Sequence, residues 1–417
     1  MQVIDMIVAF CYYDKKLETM EKIQMKKREL KKTSNSFIQK ILNKDLRILI
    51  IQSGFPYYKS PHLYQWLWVF ILLPFLPEDT LNDLSEAHGK ELRRLYEILT
   101  KYPHSFEKLV SSLAIPLFFE LLEEFSDANE TKQSRRRIML IADDTKSEKY
   151  GHCMEFIHKL FDSGKKQYIM GYNYMFVLVM SGDFIFPLFV SLWLPKPHVE
   201  HSSKNDILIN FIKDLNSQAT AKHLTLSEIE LTFDSAFCVQ KVIQMVTDVQ
   251  LRIVTKANNN HKFEFEGQSV TPAEIIEKVK NGHWKPLGSN RFYQRFCVNH
   301  HNYGEVVLIV RKKTLKNGKI IHDVLLCNQV FYNAHRIDKC YLKRWNIEMQ
   351  FKYYKQHLNL GKSHFRTLGA IQSGLYCVAI VGLLVALYCR SVARNISFKR
   401  AVKQIMSVFT TRKPLYI

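Results

Sequence analysis

The sequence predicts an α/β fold: a mixed five-stranded sheet with flanking helices, preceded by a helical N-terminal region and interrupted before its last helix by a β-rich insertion. Three observations lead there. Residues 1–135 read as helical, whereas from residue 138 short apolar runs alternate with turn signals and amphipathic stretches. Three strand-like runs come first and are followed by two helix–strand units, the order of a mixed sheet. The content of 47% hydrophobic and 12% aromatic residues is too apolar for a disordered basic chain, and 417 residues are ample for a buried core.

The elements follow in order. The N-terminal 135 residues carry a basic stretch (Lys22, Lys26, Lys27, Arg28, Lys31, Lys32), equally suited to an arm on a polyanion and to a solvated helix face, and an aromatic run (Tyr64, Trp66, Trp68, Phe70). No pattern in residues 35–110 establishes a helix-turn-helix. After a polar linker, residues 138–142 form an apolar run ending in Asp143-Asp144, as expected of a central strand buried on both faces. Runs 174–180 and 184–192 flank Ser181-Gly182-Asp183, a hairpin signal. Residues 205–220 are helical. Residues 228–234 alternate, with Ile229, Leu231 and Phe233 on one face and Glu228, Glu230, Thr232 and Asp234 on the other, so Asp234 ends a strand on its polar face. A helix (236–246) and a strand (249–255) complete the connectivity of an RNase H-like core, expected over 138–257. Residues 258–336 hold strand-like runs at 262–265, 291–298, 305–311 and 320–326, read as the insertion. The core's last part, 337–417, holds a long helix from about Asp338, an apolar helix and a basic tail.

The apolar runs 63–77 and 374–389 fall short of the roughly 20 residues that cross a bilayer as a helix, so both are expected to be core helices and no membrane association is expected. Asp5 stands where a signal peptide needs positive charge, and the eight cysteines form no CxxC pair, which together suggest a reduced, cytoplasmic protein. The formal net charge is +20. It divides unevenly: +3 over residues 1–140, −3 over 141–250 and +20 over 251–417. So one-sided an excess is the footprint of a surface that tracks a polyanion such as nucleic acid.

The most informative segment is YLKRWNIEMQFKYYK, in which Tyr341, Arg344, Glu348 and Lys355 fall within one 60° arc of an α-helix. Such an arc offers a carboxylate for a metal and cations for phosphates, or alternatively a solvated face with one Arg344–Glu348 ion pair. Trp345 lies just beside the arc and is expected to be a core contact. Two strand-ending aspartates upstream complete a set of three acidic positions, which this connectivity gathers at one edge of the sheet. Trp284 in the insertion reads either as a loop anchor or as a stacking platform for a base. His300-His301 does not read as a ligand pair, because neighbours on a strand face opposite sides.

With its Tyr-x2-Arg-x3-Glu-x6-Lys pattern, its Asp-Asp-Thr after an apolar strand and FDSAF around Asp234, the sequence resembles the IS4-type DDE transposases of bacterial insertion sequences, over about residues 138–390. The resemblance implies metal-dependent cleavage of DNA and strand transfer at insertion-sequence ends, with two Mg²⁺ (or Mn²⁺) ions shared by Asp143, Asp234 and Glu348. Asp144 is the alternative first acidic residue; Asp143 is preferred because relatives show Asp, any residue, then Thr. It implies that Arg344 and Lys355 hold phosphates near the transposon end and that Tyr341 binds there too. Trp284 is the further candidate for contact with DNA. The implied partners are double-stranded DNA, as terminal inverted repeats and target, and a second copy of the chain in a synaptic homodimer, with the N-terminal region helping to bind the ends. The expected location is the bacterial cytoplasm, on the nucleoid when bound to DNA. A nuclease or resolvase that cuts without joining, and an inactive DNA-binding remnant, are the competing readings.

Overall fold

The structure, a computed structural model, describes residues 92–130, 137–151, 153–196, 198–300, 303–315, 317–391 and 396–410, together with Ser53, Phe55 and residues 73–75. The basic stretch 22–32, the aromatic run 64–70, most of the segment considered for a helix-turn-helix, the linker at 131–136, His301 and the tail beyond 410 lie outside the described residues.

Two helices, α1 (Leu92–Lys101) and α2 (Pro103–Glu130), lead into the sheet. Its centre is β1 (Ile138–Glu148), antiparallel to β3 (Gln167–Ser181). β2 (His158–Asp162) and β4 (Phe184–Trp193) lie end to end along the other edge of β3. Helix α3 (Lys204–Ala221) crosses to β5 (Glu230–Phe233), which runs parallel to β1, and α4 (Gln240–Asp248) crosses to β6 (Arg252–Lys256), parallel to β5. The order β4-β3-β1-β5-β6 is the connectivity expected of an RNase H-like core. Two local expectations change. The first strand does not stop at Ala142: the polar residues 143–148 stay in register with 171–176 of β3. The short strand β2 has no counterpart in the sequence reading.

The β-rich stretch holds β7 (Phe263–Phe265), β8 (Gln268–Val270), α5 (Pro272–Val279), β9 (Lys285–Gly288), β10 (Arg291–His300), β11 (Gly304–Thr314) and β12 (Ile320–Cys327). It is not a separate sheet. β12 pairs with β6 through Leu325–Lys256, Leu326–Thr255 and Cys327–Val254, so the five expected strands are part of a twelve-stranded sheet. The chain closes with α6 (Ala334–Leu342), α7 (Trp345–His357), α8 (Leu368–Ser391) and α9 (Phe398–Thr410).

The alternation of β1 and β5 divides the interior into two cores. Ile138, Leu140, Ala142, Ile229, Leu231 and Phe233 point to the face covered by α3 and α4. Met139, Ile141, Tyr174 and Phe176 point to the face covered by α6 and α7, where Ile337, Ile347, Phe351 and Tyr354 pack. α8 is long and apolar enough to cross a membrane by length and composition, but 83% of its apolar window is buried inside the fold, as in a core helix.

Candidate active site

The parallel pairing of β1 with β5 sets Ala142 opposite Phe233, both on the α3/α4 face. One residue further along each strand the chain points the other way, so Asp143 and Asp234 stand side by side on the α6/α7 face, on strands about 5 Å apart. Asp234 also begins a 3-10 turn (Ser235–Phe237), which ends the strand at that point. Asp144 lies on the opposite face. Its carboxylate accepts from Lys204 Nζ at 2.8 Å, at the start of α3.

Glu348 is brought to this edge by α7, whose Phe351 and Tyr354 pack against Phe176 of β3, the cross-strand partner of Asp143, with ring centroids 5.3 and 5.9 Å apart. Arg344 joins the two elements. Its guanidinium donates to Asp143 Oδ2 at 2.8 Å and, through its other terminal nitrogen, to Glu348 Oε1. The other oxygen of Asp143 accepts the Asp144 backbone N–H at 2.9 Å. Burial pushes the Asp143 carboxyl up to about 7, with Asp144 and Asp234 adding repulsion, while Arg344 and the backbone N–H act in the opposite direction.

The helix expected from about Asp338 is broken. α6 ends at Leu342 and α7 starts at Trp345, and between them Lys343, Arg344, Asn346 and Ile347 donate to carbonyls three residues back. This 3-10 tightening turns Tyr341 and Glu348 onto separate helices that meet at Arg344. The Tyr341 ring sits between two guanidinium groups, Arg311 at 5.1 Å and Arg344 at 5.8 Å from its centroid, and burial raises its phenol above the usual range. Lys355 lies two turns along α7 from Glu348, donating from Nζ to the Lys146 carbonyl at 2.9 Å. Burial holds its ammonium below the usual lysine range. The structure therefore brings Asp143, Asp234, Tyr341, Arg344 and Glu348 together, while Lys355, further along α7, ties that helix to β1.

Trp284 is not joined to this cluster by any contact among the described residues. Its indole N–H donates to the Lys280 carbonyl at 3.1 Å, and its ring packs against His322 and under Lys312 Nζ, the arrangement of a loop anchor. Trp345 departs from its expected core position: it is 60% exposed, beside Leu342 at 48%. Both stand on the solvent side, close in sequence to Arg344. His300 stacks on Tyr303 with ring centroids 3.7 Å apart.

Two supports escaped the sequence reading. Arg311 donates to Asp323, its in-register partner on β12, and to Asp338 of α6 at 2.8 Å; Arg291 of β10 reaches the same Asp338 at 2.6 Å. On the other side of α6, the buried Glu230 of β5 accepts from Arg336 at 3.0 Å, from Tyr332 at 3.1 Å and from the Cys340 thiol at 3.1 Å. The helix bearing Tyr341 is thus held through its own Asp338 to two arginines of the extended sheet and through Glu230 to the core strand. Only the cross-strand pair Arg311–Asp323 had a signal in the sequence, as opposite charges on alternating positions.

Two carboxylates at the sheet edge and one from α7 are donors of the kind a hard divalent cation takes. As folded, Arg344 supplies the compensating positive charge between two of them, and among the described residues no three acidic, His or Cys side chains stand close enough together to hold an ion. In type and charge the donors suit such an ion, and in the present arrangement the Arg344 guanidinium stands between two of them.

Comparison with curated proteins finds no match. Among solved structures, the NurA nuclease from Sulfolobus solfataricus aligns at 9% identity and a TM-score of 0.23, over 72% of this chain and 99% of that one, a likeness too slight to carry an argument. The family model described as "Transposase DDE domain" matches residues 136–384, from the start of β1 into α8 and through every carboxylate of the cluster. The match spans more than half of the sequence, and the chain belongs to the transposase DDE domain family.

Proposed function

We propose that this protein is a DDE transposase that cleaves DNA at the ends of an insertion sequence and joins the exposed 3′-hydroxyls to target DNA. The observation that carries the reading is the placement of Asp143 and Asp234 one residue beyond an in-register parallel pair, with Glu348 tied to Asp143 through Arg344. Asp143, Asp234 and Glu348 would hold Mg²⁺ or Mn²⁺, which supplies Lewis-acid activation of the attacking oxygen and stabilises the leaving one.

The chain's own residues do the rest. Arg344, whose planar fork now spans two carboxylates, is equally matched to a phosphodiester, so substrate draws it off the acids and uses it to hold the phosphate. Tyr341, between Arg311 and Arg344, offers a phenol to the same phosphate. Lys355, further along α7, offers a second cation to the DNA backbone. The exposed Trp345 is placed to stack on a base next to the cleaved bond. Asp144, engaged by Lys204 on the other face, takes no part. The closeness of the four-residue pattern to IS4-type enzymes supports transposition by cutting and pasting, with two copies of the chain joining two ends.

The test is direct. Glu348→Gln should retain DNA binding and lose metal-dependent nicking of the element's ends; an active variant would overturn the site. Wild-type protein should also join a pre-nicked end to a target plasmid. Nicking without joining would make it a nuclease.

A further inference from the structure

The sheet face that carries Asp143 does not end under α7. Along β3, Phe176, Tyr174 and Tyr172 are buried on this face, and the next two side chains of the same alternation, Met170 and Tyr168, emerge into solvent at 45% and 63% exposure. Across on β2, Lys159 pairs with Met170 and Phe161 with Tyr168, and Phe161 is 50% exposed. The opposite face of this hairpin is ordinary, with Leu160 and Ile169 buried. Large apolar side chains therefore occupy the face that a half-solvated hairpin normally gives to polar ones.

They are also organised. Phe161 and Tyr168 meet edge to face at 5.3 Å, and Lys159 Nζ lies 4.5 Å from the Tyr168 centroid. Lys165 and Lys166 occupy the hairpin turn. The two acids nearby are already used: Glu148 pairs with Lys165, and Asp162 accepts the backbone N–H groups of Gly164 and Lys165. Between the carboxylate cluster and this patch run α7 and the loop after it, with exposed Lys352 and Lys362. From Phe176, opposite Asp143, to Tyr168 is eight residues of strand, about 26 Å. That is roughly eight base pairs of duplex at 3.4 Å each.

We infer that the β2–β3 hairpin is a second DNA-contacting surface, which grips the duplex about eight base pairs from the cleaved bond through Lys159 and the Phe161–Tyr168 pair. Interleaved cations and exposed aromatic rings suit phosphates and the sugars beside them. The patch continues a face already assigned to DNA, and it rests on that reading.

The experiment uses the full chain, a fluorescent duplex of several helical turns and no divalent metal, so that it does not depend on cleavage. Phe161→Ser with Tyr168→Ser should weaken duplex affinity about tenfold, as for burying two apolar rings against the sugars, at unchanged salt dependence. Lys159→Gln should lower the slope of log affinity against log salt by about one. Both variants change solvent-facing side chains, and an unaltered thermal midpoint checks their folding. With 5-bromouracil in the duplex, ultraviolet cross-linking of the wild type should yield adducts on the peptide containing Tyr168. Affinities equal to wild type with adducts elsewhere would overturn the proposal while leaving the transposase reading intact. A wild type that binds no duplex would overturn both. Variants that alter self-association in the absence of DNA, and not DNA affinity, would make the hairpin an interface between copies and overturn it as well.

Discussion

At Arg344 a single guanidinium spans Asp143 and Glu348, and the proposed chemistry turns on it. An arginine there balances the charge of two acids in the absence of a cation, and it must leave before those acids can share one. Arg344→Ala should therefore raise the Mn²⁺ affinity of the DNA-free protein by at least about tenfold, as expected for removing a close charge pair, while weakening its hold on DNA. Calorimetric titration with Mn²⁺ reads this out, and unchanged or weaker binding would contradict it. Asp143 carries a second consequence. Its carboxyl is raised from 3.8 to about 7, so the folded protein keeps a proton that the unfolded chain has lost. The stability this contributes is fully present below about pH 4 and disappears as pH rises through about 7. Metal-free Asp143→Asn should lack this decline, as urea melts across that window would show, and metal should bind wild type more tightly above pH 7 than below it. Strand neighbours face opposite ways, so only one acid of the Asp143-Asp144 pair can join the cluster. Which face α7 would cover was not readable in the sequence, since that depends on the packing of Phe351 and Tyr354 against Phe176.

At the scale of elements, α6 is the joint of the site. Its Asp338 is 3% exposed and takes two arginines from β10 and β11, while Glu230 of β5 takes Arg336 and Cys340 from its other side. Asp338→Ala would leave Arg291 and Arg311 short of a partner at a buried position and should cost roughly 3 kcal/mol, near the low end for breaking a buried pair because both arginines are partly solvated. The urea midpoint checks it, and an unmoved midpoint would mean that the cluster does not clamp the helix. Strands were legible where burial imposes a pattern: 228–234 and 305–311 alternate or run apolar as core strands do. Polar strand residues 143–148 and the break between α6 and α7 were not, because both are decided by partners distant in sequence. The 60° arc was drawn on an unbroken helix. Glu348 and Lys355 do share α7, whereas Tyr341 lies on α6, and Trp345, expected in the core, is exposed.

Across the whole molecule, one sheet of twelve strands joins a near-neutral part, which supplies Asp143 and Asp234, to a strongly basic one, which supplies Glu348 and the β10–β12 strands. The connectivity of the core could be read from the order of its strands. That β12 adds to β6 could not, because three backbone pairs leave no mark in composition. The +20 concentrated in residues 251–417 should make duplex affinity fall linearly with log salt, with a slope near −0.9 for each phosphate neutralised, and a slope near zero would deny the basic half its role. The central claim is narrower: three carboxylates on one face cut and join DNA. It is tested most directly by metal-dependent nicking of the element's ends by wild type beside Asp143→Asn, Asp144→Asn, Asp234→Asn and Glu348→Gln, each checked for duplex binding. The account predicts that Asp143→Asn, Asp234→Asn and Glu348→Gln lose more than about 100-fold in rate, beyond what a residue outside the ligand set would cost, while Asp144→Asn keeps most of it. Full activity in any of those three, or loss confined to Asp144→Asn, would contradict it.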